Sequence, residues 1–142
     1  EILEMLSQSA NDVNILVAED NLINQKVALA LLKKAGLSFD IVGDGELALE
    51  ALHKKRYDLV LMDIQMPNMD GIETTKAIRN STSSKINSQI PIIAMTAHAM
   101  KGDREKFIEA GMDDYISKPI KINEMLNMFK NYAMEIVTNK IK

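Results

Sequence analysis

The chain predicts an α/β fold, a five-stranded parallel sheet doubly wound in the order 2-1-3-4-5, and three observations carry that prediction. Five short apolar runs alternate with five stretches whose apolar residues recur at helical spacing. The connections are short, which implies right-handed crossovers and parallel neighbours. The middle run, Leu59 to Met62, is apolar without a break, the pattern of a strand covered on both faces. There is no internal repeat, and residues 13–138 read as one domain.

Residues 1–12 place Ser7, Gln8, Ser9, Asn11 and Asp12 after a small apolar patch, and read as a linker or the tail of a preceding domain. Val13 to Ala18 is a buried-strand pattern that breaks into Glu19-Asp20-Asn21. Asn21 can cap a helix in which Ile23, Val27, Ala30 and Leu31 form the apolar stripe and Gly36 ends the run. Phe39 to Val42 is the second strand. Asp44 then caps a helix to about Lys54, with Leu47, Ala48, Ala51 and Leu52 turned inward. After the central strand and Asp63, Asp70-Gly71-Ile72-Glu73 has the spacing of a capping box, so a third helix starts near Gly71. Residues 80–89 are polar and turn-prone, and predict an exposed, mobile loop. Ile90 to Met95 is the fourth strand, with Pro91 tolerable at its beginning, and it ends at Thr96. A helix from about Met100 to Ala110 closes at Gly111, and a short strand around Asp114 to Ile116 leads to Lys118-Pro119. Ile122, Met125, Leu126, Phe129, Tyr132, Ala133 and Ile136 mark the last helix. Residues 139–142 read as a tail too short for a DNA-binding helix-turn-helix.

At 142 residues with 46% hydrophobic side chains, the chain can bury a core without staples. The lack of cysteine excludes disulfides, Cys-ligated zinc and thiol nucleophiles. A net charge of -3, from 17 basic and 20 acidic side chains, argues against a general nucleic-acid binder. No apolar run is long enough to span a membrane, and Glu1-Ile2-Leu3-Glu4 lacks the order of a signal peptide. A first residue other than Met suggests a piece of a longer protein.

The order 2-1-3-4-5 sets the first and third strands side by side at the switch point, where such sheets bind ligands. Glu19 and Asp20 then lie beside Asp63, and Thr96 and Lys118 end the strands on its other flank. Three converging carboxylates repel one another unless a hard divalent cation neutralises them, and Mg2+, which takes oxygen ligands, is the natural candidate. A carboxylate beside that ion can attack a phosphoryl group, while Lys118 and the Thr96 hydroxyl can hold its oxygens. Each residue also has a plain structural reading. Asp63 could be a turn former, Glu19-Asp20 a helix entry, Thr96 a strand end and Lys118 a solvated lysine. Their joint occurrence at successive strand ends favours chemistry.

These residues carry a resemblance. Val17-Ala18-Glu19-Asp20-Asn21, the run Met62-Asp63-Ile64-Gln65-Met66-Pro67-Asn68-Met69-Asp70-Gly71, Met95-Thr96-Ala97 and Ser117-Lys118-Pro119 together resemble the receiver domains of two-component response regulators, over Val13 to about Val137. The resemblance implies a flavodoxin-like (βα)5 domain in a phosphorelay, with Asp63 as phosphoacceptor. It implies Mg2+ held by Asp20, Asp63 and the backbone carbonyl of Gln65, with Glu19 acting through water. Thr96 and Lys118 would bind the phosphoryl group, and Tyr115 would sit at the aromatic switch position. A cis Lys118–Pro119 bond would aim the lysine inward. A face made by the fourth helix, fifth strand and fifth helix would change on phosphorylation.

Glu19 to Gln25, Ala97-His98-Ala99-Met100 and Gly111 to Tyr115 further resemble receivers attached to hybrid sensor histidine kinases. The implied partner is a histidine kinase or histidine-phosphotransfer domain. No direct contact with nucleic acid or membrane is expected, and the expected state is a monomer or weak dimer. The implied compartment is the cytoplasm, even for a membrane-anchored parent. Other classes make different demands. A haloacid-dehalogenase-type phosphotransferase needs an acid two residues past its nucleophile, where this chain has Gln65. A flavin-binding module needs a Ser/Thr-rich phosphate loop where Glu19-Asp20 stands. A docking module indifferent to phosphorylation stays open, although all the acceptor residues are present. His98 lacks the surroundings of a phosphohistidine. Most of the ten methionines read as core filler, with Met66, Met69 and Met100 near the rim.

Overall fold

A computed structural model describes residues 14–97 and 102–141. Five strands, β1 (Asn14–Ala18), β2 (Ser38–Val42), β3 (Leu59–Asp63), β4 (Ile92–Thr96) and β5 (Asp114–Ser117), form one sheet in the order β2-β1-β3-β4-β5. All four pairings are parallel. The helices are α1 (Leu22–Ala35), α2 (Gly45–Lys54), α3 (Gly71–Arg79), α4 (Asp103–Ala110) and α5 (Ile122–Ile141). The predicted fold class is the observed one, and α5 runs on into the stretch read as a tail.

Alternation along each strand divides the core in two. Ile15, Val17, Leu59, Leu61, Ile93 and Met95 point to the side covered by Ala28 and Leu32 of α1 and by Met125 and Phe129 of α5. Leu16, Val60, Met62, Ile92 and Ala94 point to the other side, against Ala48 and Leu52 of α2, Ile78 of α3 and Phe107 of α4. The central strand β3 is buried at all five positions. Burial of each large side chain contributes about 1.5–3 kcal/mol relative to exposure, and that commitment fixes the register that brings Asp63 to the sheet's carboxyl edge.

Side-chain caps define several helix ends. The Asn21 carboxamide accepts from Ile23 N (2.9 Å) and Asn24 N (3.0 Å) at the start of α1. Asp44 accepts from Leu47 N at 2.9 Å. Asp70 and Glu73 form the reciprocal capping box at α3. Gly36 and Gly111 close α1 and α4 in the left-handed region, with φ of 75° and 108°.

Four details differ from the sequence reading. In α1 the buried face is Ala28 and Leu32, whereas Ile23 is 72% exposed and Ala30 is also exposed. The sequence LINQKVALALLKKA has apolar residues almost all round the helix, so periodicity could not choose the face. Leu47 is exposed too, because it sits one position before the inward Ala48. The polar loop 80–89 is anchored by Ile86, which is buried with the second core. Arg79 also reaches over to the carbonyls of Ser88 and Ile90, each at 2.7 Å. Finally, α4 begins at Asp103 after the cap Gly102. His98, Met100 and residues 1–13 lie outside the described residues, as do the side chains of Ala133 and Ile136. Among the described residues no helix is long and apolar enough to cross a membrane.

Candidate functional site

The carboxyl ends of β1, β3, β4 and β5 meet at one edge of the sheet. The β1 end is held by Glu19 N donating to Val42 O at 3.0 Å, which turns the Glu19 carboxylate inward, where the residue is 1% exposed. Asp20, next in the chain, faces solvent. Asp63 ends β3 opposite Met95 of β4 and is 3% exposed. Thr96 ends β4, 7% exposed, opposite Ser117, and its carbonyl accepts from Lys118 N at 2.8 Å. The Lys118–Pro119 bond is cis, as the resemblance implied.

The expected residues therefore come together. Lys118 Nζ lies 2.7 Å from Glu19 Oε1 and 2.8 Å from Asp63 Oδ1. Carboxylate oxygens of Glu19, Asp20 and Asp63 all fall within 4.8 Å of one another. Gln65 N donates to Asp63 Oδ1 at 3.3 Å. Asp20, Asp63, Gln65, Thr96 and Lys118 line a single open cleft of about 550 Å³.

The electrostatics follow from crowding three acids and one lysine. Burial pushes Asp63 up to about 7, and the hydrogen bond and charge of Glu19 add to the rise against the pull of Lys118. Burial would raise Glu19 as well, but its hydrogen bonds with Asp63 and Lys118 outweigh it and hold that carboxyl below its ordinary value. Burial would lower Lys118, yet the hydrogen bonds and charges of Asp63 and Glu19 keep it above the usual lysine value. Near neutrality the cluster thus holds Glu19 and Lys118 charged, with Asp63 retaining a share of protonated carboxyl.

This donor set fits a divalent hard cation. Glu19 Oε1 is fully buried, its charge met by Lys118 Nζ 2.7 Å away. Asp20 brings a third carboxylate from the solvent side. Oxygen-only, carboxylate-rich and open to water, the cluster has the character of a Mg2+ site rather than a site for a softer metal.

Two further placements bear on the site. Tyr115 of β5 is half-buried and meets Phe107 of α4 edge-to-face, with ring centroids 6.0 Å apart and planes at 61°. Its register partner is Ala94, and Thr96 lies two residues further along β4, so Tyr115 and Thr96 face the same side of the sheet. Gly71, read from sequence as a helix start, also packs directly against the backbone that carries Asp63. A Cβ there would run into the carbonyl oxygen of Asp63, and Gly71 N donates to Ile64 O at 3.0 Å. The Asp70-Gly71 pair was visible in the sequence, but not which backbone it packs against.

Known proteins resemble the chain along most of its length. Residues 15–130 match the family model of the response regulator receiver domain. Hybrid signal transduction histidine kinase I of Dictyostelium discoideum is 52% identical over 111 residues, which is 75% of this chain and 6% of that protein. Hybrid signal transduction histidine kinase B of the same organism is 43% identical over 120 residues, again with 6% of its length covered. The chain therefore spans a small fraction of these relatives. Among solved structures, the receiver domain of sensor histidine kinase PA1611 from Pseudomonas aeruginosa, with a magnesium ion coordinated in its active-site cleft, superposes with a TM-score of 0.76. It is 39% identical, with 85% of this chain and 97% of that one covered. The receiver domain of Ssk1 from Saccharomyces cerevisiae, crystallised with the histidine phosphotransfer protein Ypd1, gives 0.77 at 30% identity, covering 86% and 89%.

Proposed function

The chain belongs to the response regulator receiver domain family, and from that premise we propose that Asp63 accepts a phosphoryl group from a phosphohistidine. The observation that carries the proposal is the buried Asp63 carboxylate, 2.8 Å from Lys118 Nζ and clustered with Glu19 and Asp20 at the mouth of an open cleft. An Asp63 carboxylate oxygen forms a bond to phosphorus as the phosphorus–nitrogen bond to the donor imidazole breaks, and the imidazole leaves with that electron pair. Lys118 exchanges its carboxylate contacts for a phosphoryl oxygen, and Thr96, at the end of the adjacent strand, donates its hydroxyl to another. Hydrolysis of the acyl phosphate later returns the carboxylate.

Mg2+ would be held by Asp20, Asp63 and the Gln65 carbonyl, with Glu19 acting through water, and when bound it neutralises charge between the acids and the incoming phosphoryl group. The switch we propose runs from Thr96, drawn toward the phosphoryl group, to Tyr115 on the same side of the sheet, and so to the face of α4, β5 and α5. The donor is a histidine kinase or histidine-phosphotransfer domain. It would meet the rim beside the cleft, where Leu22 and Ile23 open α1 at 71% and 72% exposure, an apolar pair that no buried contact explains. We propose a domain at residues 13–138 that lies in the cytoplasm, whether or not a longer parent is membrane-anchored. Residues 1–12 would be a linker or the tail of a preceding domain, and the receiver would make no direct nucleic-acid or membrane contact and be a monomer or weak dimer.

The test is the intact mass after incubation with Mg2+ and a small acyl-phosphate donor, beside Asp63→Asn and a sample with chelator. A gain of one phosphoryl group only in wild type with Mg2+ is expected. No gain, with no beryllofluoride complex either, would overturn the acceptor reading in favour of a docking module.

A further inference from the structure

We infer that Gln25 is a positioning residue for the acid pair, acting through the backbone of Glu19 to set where Asp20 meets a divalent cation. Between β1 and α1 the chain must reverse direction while presenting two carboxylates. Glu19 N is tied to Val42 O at 3.0 Å, so the amino side of this residue is fixed by β2. On its carbonyl side, Gln25 reaches back from the first turns of α1, and its Nε2 donates to Glu19 O at 2.6 Å. The Gln25 backbone meanwhile keeps helical register, its N donating to Asn21 O at 2.9 Å. The side chain thus locks the peptide plane between Glu19 and Asp20 from the helix side.

That lock matters because of how differently the two acids are held. Glu19 has an inward carboxylate fixed by Lys118 at 2.7 Å and by Asn21 N at 3.3 Å. Asp20 is exposed and has no such tether among the described residues, so its direction depends on the backbone that carries it. A cation demanding near-ideal octahedral geometry is sensitive to that direction, whereas a larger, more tolerant cation is less so. Gln25 would therefore govern Mg2+ affinity and the preference for Mg2+ over Ca2+ without touching the metal or the phosphoryl group. The inference rests on the metal site proposed above.

Gln25→Met keeps the length and the apolar stem and removes the donor. In calorimetric titrations the variant is expected to bind Mg2+ about tenfold more weakly, the equivalent of one good hydrogen bond. Ca2+ affinity should fall less, so the Mg2+/Ca2+ ratio narrows. Equal ratios in variant and wild type, even with a lowered melting temperature, would overturn the positioning role and leave a purely structural one. Wild type that binds no Mg2+ would instead sink the metal site itself. Should the variant fail to fold, the Gln25 side-chain amide in wild type is read by NMR. Slow exchange and a shift that tracks Mg2+ saturation are expected, and a resonance indifferent to Mg2+ would overturn the inference.

Discussion

At Asp63 the proposed acceptor carboxyl is held against its own ionisation. Its folded value of about 7 stands above the ordinary 3.8, so between those values the folded chain keeps a proton that the unfolded chain releases. Stability contributed by this group is therefore present at low pH and is lost as pH rises toward 7. Asp63→Asn, which cannot ionise, should be more stable than wild type in chemical denaturation at pH 8 in chelator, by roughly 1–3 kcal/mol, with the gap closing toward pH 4. A constant gap across that range would sink this account. The same proton competes with metal, so calorimetric Mg2+ affinity should rise from pH 6 to pH 8. Lys118 supplies the balancing charge. Lys118→Met leaves Glu19 and Asp63 facing each other across an apolar side chain and removes a preorganised donor. The initial rate of phosphorylation by a small acyl phosphate, followed by intact mass, should drop about 100- to 1000-fold. Much of this residue chemistry was legible in sequence, since strand-end acids, a hydroxyl and a lysine announce themselves by type and place. The contact of Lys118 with both Glu19 and Asp63 was not, because no local pattern links residues so far apart.

Caps and strand ends are element-scale signals, and here they were read well. The Asp70–Glu73 box and the caps Asn21 and Asp44 stand where sequence put them. What local pattern could not show is how one side chain ties several elements together. Arg79, the last residue of α3, donates to Gly111 O at 2.8 Å, to Ser88 O and Ile90 O at 2.7 Å, and to Asp113 Oδ2 at 3.0 Å. Asp113 Oδ2 in turn accepts from Ile92 N at 2.8 Å, so the start of β4, the preceding loop and the α4–β5 turn share one guanidinium. Arg79→Ala should cost about 2–4 kcal/mol, since partly buried carbonyls lose their donors. Arg79→Lys should recover little, because a point ammonium cannot span the fork. Chemical denaturation measures both. Phosphorylation well below the melting point should be unchanged, because the clamp lies away from the acid cluster. Gly71→Ala tests the opposite case. Its added methyl is driven into the Asp63 carbonyl, so it should slow phosphorylation as well as lower stability.

Across the whole sheet, β3 and β4 are buried at every position, so the strand with half-buried side chains beside the cleft is β5 at the edge. This architecture was legible because doubly covered strands leave continuous apolar runs, and the strand order follows from crossover handedness. The face of α1 was not, because only the sheet beneath decides which of its many apolar residues is inside. The edge available to the proposed switch is β4–β5. There Thr96 and Tyr115 share a side, and Tyr115 leans on Phe107 of α4. On the proposed switch, Thr96 would be drawn toward a phosphoryl group on the side of the sheet that it shares with Tyr115, and a Tyr115 ring that turned inward would give up its edge-to-face contact with Phe107. On that proposal the two arrangements would be alternatives, the condition for a two-state device rather than a graded one. Saturating beryllofluoride with Mg2+ should therefore shift the Tyr115 ring resonances together with those of α4 and α5, while α1–α3 outside the cleft stay put. Thr96→Ala should still accept one phosphoryl group, about tenfold more slowly for the loss of one neutral hydrogen bond. Its Tyr115 ring should no longer respond. A Tyr115 shift that survives in Thr96→Ala would mean that the signal leaves the cleft by another route and that the coupling through β4 is wrong.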